Sequence, residues 1–483
     1  MEFFGHVIDG EEVESRDGAK FDDVDPWTRQ PWAQVALASP GDVERAVAAA
    51  RRAFDDGPWP RMGFAERGRI LHRLADLVEE HKRELGMADT RDMGKPVAQS
   101  IGNDVGRSAH NLRFFADHAH ITAADTLPMD SGHHAYSVYG PAGVVAAIAP
   151  WNFPLMLETW KIAPALAWGN TVVLKPAEDT PASATILARL ATEAGLPPGV
   201  LNVVHGYGPR SAGEALTEST GIDRITFTGA SSTGRAIARI AGGNLVPVSL
   251  ELGGKGANLV FADADLDNAV DWSIRAIFTN AGQVCLAGSR LYVQREVYGE
   301  FLDRFTAAAE AMAVGDPSDE GTRLGPLASQ EHFKKVRGYV ETIEAEGGRI
   351  RTGGLGSGWA VRPTVVTDMP QDAAHWREEI FGPLVVVSPF DTEAEAVALA
   401  NDTPYGLNAM VFTENLSRAH RVSAALRAGT VWVNCFFIRD LRAPFGGVGA
   451  SGVGREGGDF SRDFFTEPKA VVMQIDPDRH AAV

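Results

Sequence analysis

Apolar residues recur at three- and four-residue spacing in DVERAVAAARRAF (42–54) and ERGRILHRLADLVEEHKREL (66–85), the period of helices that bury one face. The charges of EEHKRE then form a solvated helix face. A third helix is predicted from about Ser100 to His118, with Arg107, Asn111 and Phe114 spaced to share a face. Ahead of these helices, HVIDG (6–10) and WAQVAL (32–37) read as short extended runs among turn residues. From Thr126 to Pro141 the helical period is lost again. His133 and His134 are adjacent there, so on an extended segment they point to opposite sides, which disfavours a metal site.

Between Gly143 and Gly254 short, continuous, β-branched runs alternate with helical stretches: GVVAAIAP, TVVLKPA, VLNVVHG, RITFTG and PVSLELGG. Such runs suit strands of a parallel sheet buried on both faces, and their alternation with helices predicts a doubly wound domain. A second series follows from Ala257: ANLVFAD, RLYVQ, TVVTD, LVVVSPF, NAMVFT and TVWVN. It predicts a second α/β domain. HGYGP (205–209) reads as a turn, and neither an internal repeat nor a low-complexity segment is present.

At 483 residues the chain exceeds the length at which one core stops growing, so two or more domains are expected. A formal charge of −18 leaves no excess of Lys and Arg to replace phosphate counterions, which argues against a nucleic-acid partner. No apolar run approaches membrane-spanning length, and the acidic start MEFFGHVIDGEEVES lacks the form of a signal peptide. With only two cysteines, Cys285 and Cys435, a disulfide framework is excluded and a reducing cytoplasm is the expected setting.

Candidate chemistry centres on FTNAGQVCLAGSR (278–290). Small residues on both sides of Cys285 let backbone amides approach its sulfur, and Asn280, Gln283 and Ser289 offer hydrogen bonds without a competing charge. A lone cysteine is more often a small buried hydrophobe, as is expected of Cys435 after the strand TVWVN. Glu251 ends an apolar run, where a carboxylate is costly unless it works or is paired. RITFTGASSTGRAIARIAG supplies a strand, a loop with Gly229 and Gly234, and a helix whose free amides can face a pyrophosphate, although no GxGxxG follows a strand.

APWNFP (149–154), LKPA (174–177), LELGGK (250–255), GQVC (282–285), EEIFGP (378–383) and PFGG (444–447) occur in the order found in the NAD(P)-dependent aldehyde dehydrogenase superfamily, which the chain resembles over nearly its whole length. The resemblance implies an α/β fold with a Rossmann-type cofactor domain, an α/β catalytic domain and a small β oligomerisation extension. Residues 1–121 and 142–253 would form the NAD-binding domain, 254–450 the catalytic domain, and 122–141 with 466–483 the strands of a homodimer or homotetramer. It also implies Cys285 as nucleophile, Asn152 with the Cys285 backbone amide as oxyanion donors, and Glu251 as the base that activates water on a thioester. Lys161 and Glu456 match positions behind these groups, where each is a proton-transfer aid or a structural ion-pair member. Trp151, Lys175, Glu178, Gly229, Ser231, Gly234, Leu252, Glu379 and Phe381 match cofactor-binding positions. The family usually has a serine where Ala230 stands, so Ser231 would have to supply that phosphate bond. Glu178 can accept from a free ribose 2′-hydroxyl and would repel a 2′-phosphate, which favours NAD over NADP.

Within the superfamily, VNCFFIRDLRAPFGG (433–447) and RSAHNLRFF (107–115) most resemble the 2-hydroxymuconic and 2-aminomuconic semialdehyde dehydrogenases. Arg107 and Arg439 fall at tunnel positions that are commonly apolar in members oxidising apolar aldehydes, and two guanidinium groups there would grip a substrate carboxylate. Phe153, Trp160 and Phe445 are candidate walls of the substrate site, and Arg442 is the weaker clamp candidate. The bland reading makes Arg107 a solvated helix residue and pairs Arg439 with Asp440 on a surface loop. Competing functions are a broad-specificity dehydrogenase for neutral or other semialdehyde substrates, a non-catalytic relative, and a cofactor-free cysteine hydrolase.

Overall fold

The computed structural model describes residues 1–129 and 132–475. Its largest sheet carries the first strand series, with Val248–Glu251, Arg224–Thr228, Val144–Ile148, Thr171–Lys175 and Leu201–Val203 parallel and adjacent in that order. Nearly every residue of these strands is buried, because helices cover both faces. One face packs under Phe115, Trp160 and Leu166, the other under Val47, Ala50 and Ile237. The hairpin His6–Ile8 and Glu11–Val13 closes one edge, and Gly452–Val453 runs antiparallel beside Val248–Glu251 at the other.

Strand order reverses between Val144–Ile148 and Arg224–Thr228: the chain moves outward on one side through Thr171–Lys175 and on the other through Val248–Glu251. At such a switch point the connections leave in opposite directions and open a crevice beyond the strand ends. The second series forms a separate sheet, in the order Val361–Thr367, Leu384–Phe390, Arg290–Gln294, Ala257–Val260, Asn408–Phe412 and Thr430–Val433, all parallel. Arg349–Leu355 adds an antiparallel edge strand that the sequence pattern did not reveal. Its two arginines and two glycines lack the continuous apolar run of a central strand, and exposure at a sheet edge makes such a run unnecessary.

The segment 66–85, expected as one helix, is two, Phe64–Glu80 and Lys82–Met93, which meet at His81 with φ −96° and ψ 20°. The break turns the second helix so that Leu85, Ala88, Asp89 and Asp92 are buried, a direction the first helix could not have followed. The third helix begins as a widened turn, Ser100–Val105, and continues as Gly106–Ile121.

Thr466–Gln474 pairs antiparallel with His133–Pro141, which in turn pairs with Thr126–Pro128. Residues 130–131 and 476–483, parts of the two stretches expected as oligomerisation strands, lie outside the described residues. Among the described residues no helix is long and apolar enough to cross a membrane, and no cluster of three His, Cys, Asp or Glu is placed to hold a metal.

Candidate active site

Pro150, Trp151 and Asn152 follow the strand Val144–Ile148, and Gly229 and Ala230 follow its neighbour Arg224–Thr228, so the switch point brings both loops to one place. Cys285 reaches the same place from the connection between the helix Leu266–Phe278 and the strand Arg290–Gln294. With Thr228, Leu252, Gly253, His332, Lys335, Glu379 and Phe381 they line a cavity of about 240 Å³. The cavity shares Trp151, His332 and Lys335 with an open cleft of about 1050 Å³, whose wall includes Glu178, Asp179 and Tyr207.

Cys285 as a residue is half-buried and lines this cavity. Burial pushes its thiol up to about 12, the carboxylates of Glu379 and Glu251 add to the shift, and the Arg439 charge opposes it. Asn152 is buried and spends one side-chain N–H on the Gln283 carbonyl at 2.9 Å, which leaves the second hydrogen of its amide available.

Glu251 is 4% exposed and neither of its carboxylate oxygens has a hydrogen-bond partner among the described residues. Burial, reinforced by Glu456, holds its carboxyl well above the usual carboxylate range, with Lys161, Arg439 and Arg455 opposing. Behind it, one Glu456 oxygen accepts from Lys161 Nζ at 3.5 Å, Thr226 Oγ1 at 3.3 Å and Ser249 Oγ at 3.4 Å, while the other accepts from Trp160 Nε1. The Glu456 carboxyl is thus engaged by four donors, whereas Glu251, without a partner among the described residues, is left to take and give a proton.

Glu379 accepts from the Gly254 N–H at 2.8 Å, and Phe381 stands edge-on to Trp151 with ring centroids 5.3 Å apart. Their supports are two residues that sequence reasoning missed, both on the helix Gln330–Thr342. His332 Nε2 lies 2.7 Å from the Phe381 carbonyl oxygen, and Lys335 Nζ donates to the Glu379 carbonyl at 2.9 Å. Burial lowers His332 to about 4, so it works as a neutral ring donating its Nε2 hydrogen to that carbonyl. Nothing in QEHFKKVRGYVET distinguishes this helix from a surface helix except the His-x-x-Lys spacing, which places both side chains on one face.

Two residues expected at the phosphate loop also make contacts within the protein. The Ser231 hydroxyl donates to the Ala450 carbonyl at 2.8 Å, because the first turn of its helix packs on the turn at 449–451, so its proton is already committed. A Cβ on Gly234 would lie 2.5 Å from Leu252 Cδ2, so that glycine serves helix packing against the cavity wall. Lys175 is buried, donates to the Pro176 carbonyl at 2.8 Å and lies 3.6 Å from Glu178, which itself lines the cleft.

None of Arg107, Arg439, Phe153, Trp160 and Phe445 lines the 240 Å³ cavity. The Arg439 guanidinium lies 3.7 Å over the Phe445 ring and 4.7 Å over Trp160. Asp440 is engaged by Arg442 on the surface, so the expected alternative pairing of Arg439 with Asp440 is not made. Phe153 packs under Lys95 Nζ at 3.6 Å and beside Phe437 at 6.3 Å. Cys435 is only partly buried against the core of the second sheet.

A sulfur and an amide donor that share a cavity beyond the strand ends of a doubly wound sheet, with an unpartnered carboxyl at the end of a neighbouring strand, suit covalent cysteine chemistry. The sequence comparison makes the class specific: residues 13–471 match the aldehyde dehydrogenase family, and the chain belongs to it. It is 47% identical to the 2-hydroxymuconic semialdehyde dehydrogenase of Pseudomonas sp. (strain CF600), over 98% of this chain and 100% of that protein. It is 44% identical to a 2-aminomuconic 6-semialdehyde dehydrogenase of Pseudomonas sp., over 99% of each. The structure of a Bacillus cereus aldehyde dehydrogenase in complex with NAD+ superposes with a TM-score of 0.96 at 41% identity, covering 98% of this chain and 97% of that one. The protein is therefore an oxidoreductase acting on aldehydes, with the α/β architecture of that family.

Proposed function

We propose that this enzyme oxidises an unsaturated semialdehyde bearing a carboxylate, of the 2-hydroxymuconic or 2-aminomuconic type, to the dicarboxylate with NAD. The observation that carries the substrate class is Arg439: it is stacked between Trp160 and Phe445, and its Nη2 is buried without a hydrogen-bond partner. Burial and the neighbouring Arg107 charge lower its guanidinium to about 10. A buried guanidinium with an unpartnered donor and a second cation as neighbour favours an anion from outside. The two muconic semialdehyde dehydrogenase relatives agree with that chemistry.

The residues also fit a dinucleotide. The helix Ser231–Gly243 begins with no side-chain cap, so its first amides are open to a pyrophosphate. Glu178 stands in the cleft, where its carboxylate can accept from a ribose hydroxyl and would repel a 2′-phosphate. When bound, NAD supplies the hydride acceptor. The Cys285 thiol releases its proton to solvent and adds as the thiolate to the aldehyde carbon, and the free Asn152 N–H with the Cys285 backbone N–H stabilises the oxygen that becomes negative. Glu251 takes a proton from water for attack on the thioester, and Cys285 leaves as the thiolate. Lys161 and Glu456 hold the polar network behind Glu251.

The test is a panel of acidic and neutral aldehydes of similar length, assayed with NAD and with NADP. Arg439→Ala and Arg107→Ala should each lower kcat/KM for the acidic aldehyde roughly ten- to hundredfold, and for neutral ones far less. Equal losses on both would remove the clamp and leave a broad-specificity dehydrogenase. We further propose a homodimer or homotetramer, joined through the sheet Thr466–Gln474, His133–Pro141 and Thr126–Pro128, and a cytoplasmic setting for its two free thiols.

A further inference from the structure

Between the end of the helix Leu266–Phe278 and Cys285, three consecutive residues adopt left-handed backbone: Asn280 at φ 52°, Ala281 at 53° and Gly282 at 70°. A left-handed turn of this length is unfavourable for L-residues and persists only where its surroundings hold it. On one side Gly282 fits against the main chain of the Glu379 and Phe381 loop, where a Cβ would lie 2.1 Å from the Gly382 carbonyl oxygen. On the other side the turn is held by the Asn280 side chain.

Asn280 is 1% exposed. Its Nδ2 donates to the Asn152 carbonyl at 2.7 Å and to the Gln283 carbonyl at 3.3 Å. Gln283 Nε2 returns a bond to the Asn280 carbonyl at 3.1 Å, and its Oε1 accepts from the Ala328 N–H at 3.0 Å. The Asn280 N–H donates to Gln99 Oε1 at 3.3 Å. The Gln283 carbonyl is also the acceptor that orients the Asn152 amide, at 2.9 Å. One side chain thus holds both the main chain of Asn152 and the carbonyl that sets its rotamer.

We propose that Asn280 is the positioning residue of the oxyanion site: through its two carbonyl contacts it aims the free Asn152 N–H at the oxygen of the Cys285 adduct. It touches neither substrate nor cofactor in this role. A preorganised donor stabilises developing charge only if its direction is set before the reaction, and in a water-poor cavity a small error is costly. The inference rests on the reading of Asn152 as oxyanion donor, and the experiment separates the two.

Asn280→Gly keeps a residue at ease in left-handed backbone while deleting the amide, and Asn280→Asp keeps shape and tolerance while replacing the donor with an acceptor facing two carbonyls. The readouts are the single-turnover rate of NADH formation, NAD affinity, and alkylation of Cys285 by iodoacetamide. Both variants should lose roughly ten- to hundredfold in the single-turnover rate. NAD affinity and Cys285 alkylation should stay within about twofold, because the cofactor cleft and the nucleophile are left in place. The double variant Asn152→Ala with Asn280→Gly should be no slower than Asn152→Ala alone, since a positioning residue adds nothing once its client is gone. Independent, multiplying losses in the double variant, or a full rate in either Asn280 variant, would overturn the proposal. A full rate in Asn152→Ala would remove the oxyanion reading itself, and the positioning role with it.

Discussion

Because burial pushes the Cys285 thiol up to about 12, the free enzyme near neutral pH carries mostly protonated sulfur. Below that value the thiolate fraction rises roughly tenfold per pH unit, so alkylation of the Cys285 peptide, followed by mass spectrometry, should accelerate by about that factor per unit between pH 7 and 10. A pH-independent rate would mean that the sulfur is already ionised in the free enzyme. The mechanism we propose gives Glu251 the opposite task, to be deprotonated when water attacks, and its carboxyl, without a partner among the described residues, is held above the usual range by burial and Glu456. Glu251→Gln should leave the first turnover intact and slow the steady state by roughly 10² to 10⁴. The expected signature is a stoichiometric NADH burst with an acyl group on Cys285; no burst and no adduct would deny Glu251 the deacylation role. Both residues were legible in the sequence because each breaks a local rule, a thiol among glycines and a carboxylate at the end of an apolar strand. His332 and Lys335 break none, so only the packing of their helix against the Glu379 and Phe381 loop reveals them.

Among the elements, the parallel strands were the most legible, since a strand buried on both faces must be apolar throughout and stands out from any amphipathic neighbour. The edge strand Arg349–Leu355 and the break at His81 were not, because each depends on what packs alongside. The strand Thr466–Gln474 gives the clearest test at this scale. It leaves Val472 57% exposed on one face of the sheet and Met473 44% exposed on the other, where its neighbour's Val138 is 40% exposed, so a second subunit would have apolar side chains to cover on both faces. Sedimentation velocity at micromolar concentration should therefore show dimers or tetramers for the wild type and a shift toward monomer for Val472→Lys with Val138→Lys. A wild-type monomer would refute assembly through this sheet.

For the whole molecule, stability carries a pH signature from carboxyls buried away from the cavity. Glu158 is 1% exposed, has no partner for either oxygen among the described residues, and is held well above the usual carboxylate range by burial and then by Asp89. Burial raises Asp89 itself to about 7. A carboxyl with a raised folded value contributes fully below its unfolded value, near 4, and that contribution is lost as pH rises through the folded value. Glutamine never ionises, so the Tm of Glu158→Gln should gain on the wild type as pH is raised from 5 to 9, by about 2 °C or more. A constant difference would mean that Glu158 is charged in the folded protein. The sequence alone determined the family and where the buried parallel strands run, and it put forward Cys285, Glu251 and Asn152 as the site, because these follow from local patterns of apolarity and from motifs in a fixed order. Only the tertiary structure decided the partners of those groups: Ser231 on the Ala450 carbonyl, Arg439 stacked on Phe445 instead of paired with Asp440, and Asn280 holding Asn152. Each of those contacts joins residues brought together by a crossover or a turn, and no local periodicity records which distant carbonyl or ring will lie within 4 Å.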